Sequence, residues 1–205
     1  PQEPVAVVGL GCGTLAAYGR PGQKMVFYEI NRDVIDIARD PFYFTYLYEA
    51  RKRGVNTEII EGDGRLNLIK APYNYYKLII LDAFNSDSIP THLLTREALD
   101  LYLSKLKPEG VIAFQVTNNY YNLKPLLQAL AESRELPALY RNDYDIAREK
   151  RRYPTEWVVM TRNQATLNKL LELGWKEMEK SKEGTLRLWT DDYSNPVKLL
   201  ITPSS

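Results

Sequence analysis

An α/β fold with a doubly wound, mostly parallel sheet is predicted for this chain by three observations. Several apolar runs are continuous rather than alternating, these runs alternate with segments of helical period, and the first run ends in a glycine-rich turn. The runs LIIL (78–81) and VIAF (111–114) are apolar at every position, which suits strands covered on both faces. Strand candidates cover 5–8, 24–28, 57–61, 77–81, 110–116, 138–141 and 157–161. Helical candidates cover 32–39, 44–53, 96–105, 123–133 and 164–173. Such alternation implies right-handed crossovers.

The 205 residues suffice for one sizeable α/β domain, and neither a repeat nor a linker divides them. We therefore read 1–205 as a single domain, and the start of the first strand near residue 5 suggests a fragment of something longer. The charge balance, 27 Lys+Arg against 26 Asp+Glu, argues against a general polyanion partner such as nucleic acid. The basic stretch REKRRYP (148–154) reads as a solvated loop face. The single cysteine, Cys12, excludes an intrachain disulfide and suits a reducing, cytoplasmic setting.

In an open sheet of this type, ligands bind beyond the carboxyl ends of the strands, so each strand end is read for chemistry. After the first strand stand Gly9, Gly11 and Gly13, residues that let backbone approach a ligand closely. A dinucleotide fingerprint would place its third glycine, or an alanine, at position 14, where this chain has Thr14. That favours a ligand without a pyrophosphate and disfavours an NAD-linked oxidoreductase.

After the second strand comes Glu29, followed by Ile30; an acidic side chain there can accept hydrogen bonds from both ribose hydroxyls. After the third strand, Asp63 and Gly64 lie in EGDGR. Asp63 can accept from an adenine amino group, or cap the helix-like RLNLI that follows. The fourth strand delivers Asp82 to the same edge, with Asp87 and Pro90 in the following loop. A carboxylate there can hold an amine and take its proton.

Other features have structural readings beside functional ones. His92 suits proton transfer or simple packing near a helix start, and one histidine with one cysteine makes no zinc site. Cys12 lies where a thiolate would be favoured, but is also small enough merely to fit the turn. The aromatic stretch PFYFTYLYEA (41–50) reads first as a core stripe, and otherwise as a partner contact. Asp191 and Asp192 in WTDDYSNP can attract a cationic amine or shape a turn.

Together GLGCGTLAAYGRPGQ, FYEINRDVIDIA, GDGRLNL, LDAFNSDSIPTHLLTREAL, LKPEGVIAFQVTN and WTDDYSNPVKLL resemble the spermidine-synthase-like proteins. The similarity is greatest to the bacterial branch often fused to membrane-transporter segments, and it extends over nearly the whole chain in order. It implies the class I S-adenosylmethionine-dependent transferase fold, with a seven-stranded sheet whose last strand pair includes one antiparallel strand. It also implies S-adenosylmethionine or decarboxylated S-adenosylmethionine as co-substrate, without a metal.

By position, Gly9, Gly11 and Gly13 would cradle the aminoacyl or aminopropyl end. Glu29 would bind the ribose with Ile30 beside it, and Asp63 with Gly64 the adenine. Asp82 matches the first aspartate of the D-x-x-D-P signature, the expected base, and also lies within the cofactor set. Asn85 replaces the second aspartate, leaving Asp87 and Pro90 displaced downstream, and Cys12 stands where the polyamine synthases carry an aspartate.

The family's N-terminal β-rich segment has no counterpart here. The resemblance itself implies aminopropyl transfer to a small amine. Methyl transfer, and a non-catalytic adenosyl-binding partner domain of a membrane protein, remain as alternatives. A homodimer and association with a membrane segment outside this chain complete the expectations.

Overall fold

The computed structural model describes residues 2–84, 90–151, 153–180 and 187–201. The chain folds as two compact units, Pro1–Asp82 with Tyr102–Gly110, and Ala83–Leu101 with Val111–Ser205.

The first unit is built on four strands: β1 (Val5–Val8), β2 (Lys24–Glu29), β3 (Asn56–Glu61) and β4 (Tyr76–Leu81). They lie in the order β3-β2-β1-β4, every neighbouring pair parallel. All four residues of β1 are buried, because β1 is flanked on both edges and covered on both faces. The alternation of β3, exposed at Asn56 and Glu58, fits its place at the sheet edge.

The crossovers are short. A 3₁₀ turn over Thr14–Tyr18 follows β1, and helices α1 (Arg32–Arg39) and α2 (Tyr46–Lys52) follow β2. Helix α3 (Gly64–Ile69) follows β3. The Asn31 side chain caps α1 by accepting from the amides of Asp33 and Val34, and α1 buries Ile35 and Ala38.

In the second unit, helix α4 (Arg96–Lys105) opens under the hydroxyl of Thr95, which accepts from the Ala98 amide. Strand β5 (Leu106–Gln115) begins in the first unit and ends in the second. Helix α5 (Lys124–Glu132), β6 (Ala138–Asn142), α6 (Tyr144–Glu149), β7 (Glu156–Met160), α7 (Gln164–Glu172) and β8 (Lys176–Glu177) follow. Strand β7 pairs antiparallel with both β5 and β6, and β8 pairs antiparallel with β6. The sheet is mostly parallel, in the order β3-β2-β1-β4-β5-β7-β6-β8.

Three expectations are corrected. The sheet has eight strands rather than seven, because the two-residue β8 pairs with Leu139 and Tyr140; a strand that short leaves no periodicity to read. The stretch 148–154 is not wholly loop, since α6 extends through Glu149. The aromatic stripe is not core: Phe42 is 86% exposed and Tyr43 60%, while only Leu47 and Ala50 of α2 are buried.

Among the described residues, no helix is long and apolar enough to cross a membrane.

Candidate functional site

Parallel register brings four strand ends to one level. Val8 pairs with Tyr28 and with Leu81, and Glu29 pairs with Glu61. The residues that follow are laced together by backbone bonds. The Gly9 amide donates to the Tyr28 carbonyl, the Gly62 amide to the Glu29 carbonyl and the Asp82 amide to the Val8 carbonyl, each at 2.8 Å. Gly9, Glu29, Gly62–Asp63 and Asp82 therefore share one edge of the first unit.

The glycine turn is left-handed three times over, with φ of 99° at Gly9, 51° at Gly11 and 84° at Gly13. Side chains rarely adopt such angles, so the turn is a backbone requirement and not only a small-residue preference. Gly11 also faces open space: a Cβ built there meets no atom within 4 Å. At Gly13 a Cβ would meet Leu47 Cγ at 3.0 Å, so that glycine packs the turn against α2. The segment after the turn is a five-residue 3₁₀ turn.

Glu29 holds this turn. Its Oε2 accepts from the Leu10 amide at 2.9 Å and its Oε1 from the Asn31 amide at 2.9 Å. A carboxylate has about four lone-pair positions, so one on each oxygen is left for further donors. Ile30, 70% exposed, presents an apolar side chain beside it.

Asp63 is the N-cap of α3; its Oδ1 accepts from the Leu66 amide at 2.8 Å. Gly64 is buried, and a Cβ there would lie 2.6 Å from Val8 Cγ1. Its glycine is thus demanded by the close approach of α3 to β1.

Asp82 is accessible to solvent at the end of β4. The crowded strand ends nevertheless strip part of its hydration and push its carboxyl above the ordinary range. Asp87 and Asn85 lie outside the described residues.

Cys12 is half-buried, its Sγ 3.0 Å from Thr14 Oγ1. His92 is exposed in a 3₁₀ turn over Thr91–Leu93. Asp191 accepts from the Thr95 hydroxyl at 2.7 Å, and its amide donates to Glu97 Oε2; within the second unit it braces the start of α4. Asp192 is exposed. Among the described residues, no three metal-ligating side chains cluster.

Two residues that sequence reading passed over also shape the first unit. Lys105 is 2% exposed. Its ammonium donates to the carbonyls of Ile69 (3.0 Å) and Ala71 (2.8 Å) and sits 3.9 Å from the centre of the Tyr73 ring. It thereby occupies the last carbonyl of α3, which has no intrahelical donor, and the Ala71 carbonyl just beyond the helix. Tyr76 meets Tyr28 in a buried hydroxyl pair, 2.8 Å apart. A lysine late in an amphipathic helix and two tyrosines in strands carry no local signal of these contacts.

No family model matches the chain. A polyamine aminopropyltransferase of Vibrio vulnificus (strain CMCP6) is 35% identical over 115 residues, which cover 54% of this chain and 36% of that protein. A probable spermidine synthase from Corynebacterium glutamicum superposes with a TM-score of 0.60 at 17% identity, covering 91% of this chain and 75% of that one. The chain shares the fold of that probable spermidine synthase.

The spermidine synthase of Thermotoga maritima gives a TM-score of 0.56 at 17% identity, over 78% of this chain and 54% of that chain. A spermidine synthase solved with the transition-state analogue AdoDATO gives 0.55 at 17% identity, over 78% and 53%. The chain spans about a third of the curated relative's length.

Proposed function

We propose that the carboxyl edge of the first unit binds decarboxylated S-adenosylmethionine or S-adenosylmethionine, and that the protein transfers an aminopropyl group to a small amine. The observation that carries this reading is Glu29: one oxygen takes the Leu10 amide of the turn, the other the Asn31 amide, and each still keeps acceptor capacity toward the edge. The open space above Gly11 fits close backbone approach by a ligand. The relative named for aminopropyl transfer, and the neighbour solved with AdoDATO, support the same choice.

In this reading the ribose hydroxyls donate to the remaining lone pairs of Glu29. Ile30 covers an apolar face of the base, and Asp63 with the backbone at Gly64 faces its amino edge. The co-substrate supplies a carbon activated by a sulfonium. The acceptor amine's lone pair forms the new C–N bond as the C–S bond breaks, and that electron pair leaves the sulfur neutral. Asp82 orients the amine and takes the proton released from nitrogen. Its raised pKa makes it a better base than an ordinary carboxylate. Asp87 remains a candidate second carboxylate on the acceptor side.

The test mixes purified protein with decarboxylated S-adenosylmethionine and a panel of diamines, and follows products by chromatography. Methylthioadenosine with an aminopropylated amine is expected. S-Adenosylhomocysteine formed from S-adenosylmethionine would replace the reading with methyl transfer. Ligand binding without either product would replace it with a non-catalytic adenosyl-binding module.

A further inference from the structure

A cavity lies on the sheet face opposite the Glu29 side chain. Helix α3 has six residues, about 9 Å of length, whereas the six-residue strands β2 and β3 extend about 20 Å. Crossing from β3 back to β4, so short a helix leaves part of that face uncovered. The gap is a cavity of about 410 Å³. Its floor is Lys24, Val26 and Tyr28 of β2 with Glu58 and Ile60 of β3, and its walls include Lys70, Pro72 and Tyr75.

The polar groups in it are mostly donors. Tyr28 and Tyr76, each 2% exposed, form one O–H···O bond between them. Two hydroxyls carry two hydrogens, so one is left over, and no other described residue accepts it. Burial pushes both phenols above their ordinary range, so both stay protonated at working pH. Lys70 spends one N–H on Asn67 Oδ1 at 3.0 Å, leaving two. Lys24 is paired with Glu58 at 2.9 Å. With Glu58 offsetting Lys24, the charge of Lys70 is the one left uncompensated among the described lining residues. The rest of the lining is apolar or aromatic.

We propose that this cavity is a binding site for a small carboxylate with an apolar or aromatic body. The carboxylate accepts from the leftover tyrosine hydroxyl and from Lys70, while Val26, Ile60, Pro72 and the Tyr75 ring enclose the body. Leaving that hydroxyl hydrogen without an acceptor in a desolvated place is costly, and an anionic acceptor is the group that relieves it. The site does not depend on the adenosyl reading, since it uses the other sheet face and none of the glycine-turn residues.

The test titrates the full chain, by calorimetry and by amide and side-chain NMR, with three probes that share one body: phenylacetate, phenylacetamide and phenethylamine. Saturable phenylacetate binding is expected, with shifts at Tyr28, Lys70 and Tyr75. Phenylacetamide should bind roughly tenfold or more weaker, the scale of one charge-assisted hydrogen bond, and phenethylamine weaker still. Lys70→Gln, an exposed substitution that spares folding, should weaken phenylacetate by a similar factor. Tyr28→Phe/Tyr76→Phe should also weaken it, with the fold checked by circular dichroism. The proposal is overturned if none of the probes saturates, if phenethylamine binds as well as phenylacetate, or if Lys70→Gln leaves phenylacetate binding unchanged.

Discussion

Glu29→Ala separates what this carboxylate does for the fold from what it does for a ligand. In the free protein, Glu29 accepts two backbone amides, and the two losses are unequal. The Asn31 bond is exposed, so water replaces the carboxylate at little cost. The Leu10 bond is partly buried, beneath a side chain only 6% exposed, and that amide would be orphaned at about 1–3 kcal/mol. The ends of the turn stay tied by the Gly9–Tyr28 and Gly13–Leu10 bonds, so the loss stays local.

The ligand-free variant should therefore unfold roughly 2–12 °C lower, taking about 2–4 °C per kcal/mol for a domain of this size. Its urea midpoint should fall with little change in slope. Glu29→Gln should recover part of the loss, because its carbonyl can take the Leu10 amide while its NH2 cannot serve Asn31. Calorimetry with the adenosyl ligand then reads the second role, a further ~1–3 kcal/mol for hydrogen bonds to a charged acceptor. Wild-type stability in Glu29→Ala would refute the claim that this side chain holds the turn. Lost stability with unchanged ligand affinity would remove the ribose assignment alone.

Asp82→Asn should cut turnover by ~10²–10⁴-fold while sparing adenosyl affinity; a near-normal rate would mean that the proton leaves to water. Between the ordinary carboxyl pKa and the raised folded value, the folded protein binds more protons than the unfolded chain. Asp82 therefore lowers stability as pH rises through that window, and Asp82→Asn should abolish that decline in urea unfolding measured across acidic pH. Lys105→Met keeps the chain length but strips the donors from the Ile69 and Ala71 carbonyls. It should cost ~2–4 kcal/mol in chemical unfolding, the orphaned carbonyls outweighing the relief of a buried charge. Gly64→Ala places a methyl 2.6 Å from Val8 Cγ1. It should destabilise by ~1–3 kcal/mol through overpacking, even though alanine is the better helix former, and a stabilised variant would show that α3 shifts away freely.

Much of the fold was legible in local pattern. Strand β1 and helices α1 and α4 fall where the apolar runs and the helical period place them, because these signals reflect burial on two faces or on one. Asp63 as an N-cap was legible for the same kind of reason: a carboxylate three residues before Leu66 meets an amide wherever a helix starts there. The weaker elements were not. Helix α6 lies in a stretch dominated by charge, and β8 owes its existence to an edge partner. The exposed aromatics around α2 show the limit of periodicity, which reports an amphipathic face and not what covers it.

What the sequence by itself determined is the order of elements and the residue types at the strand ends: three glycines, then Glu29, Asp63 and Asp82. Those are consequences of chain-local chemistry, the φ a glycine allows and the edge to which a parallel strand leads. Only the tertiary structure decided that Glu29 takes the Leu10 amide of the turn and that Gly64 answers to Val8. It alone buried the Lys105 ammonium against carbonyls some 35 residues away in sequence and paired Tyr28 with Tyr76 above a cavity. Each of these depends on the distance between atoms far apart in the chain, which packing sets and no local pattern encodes.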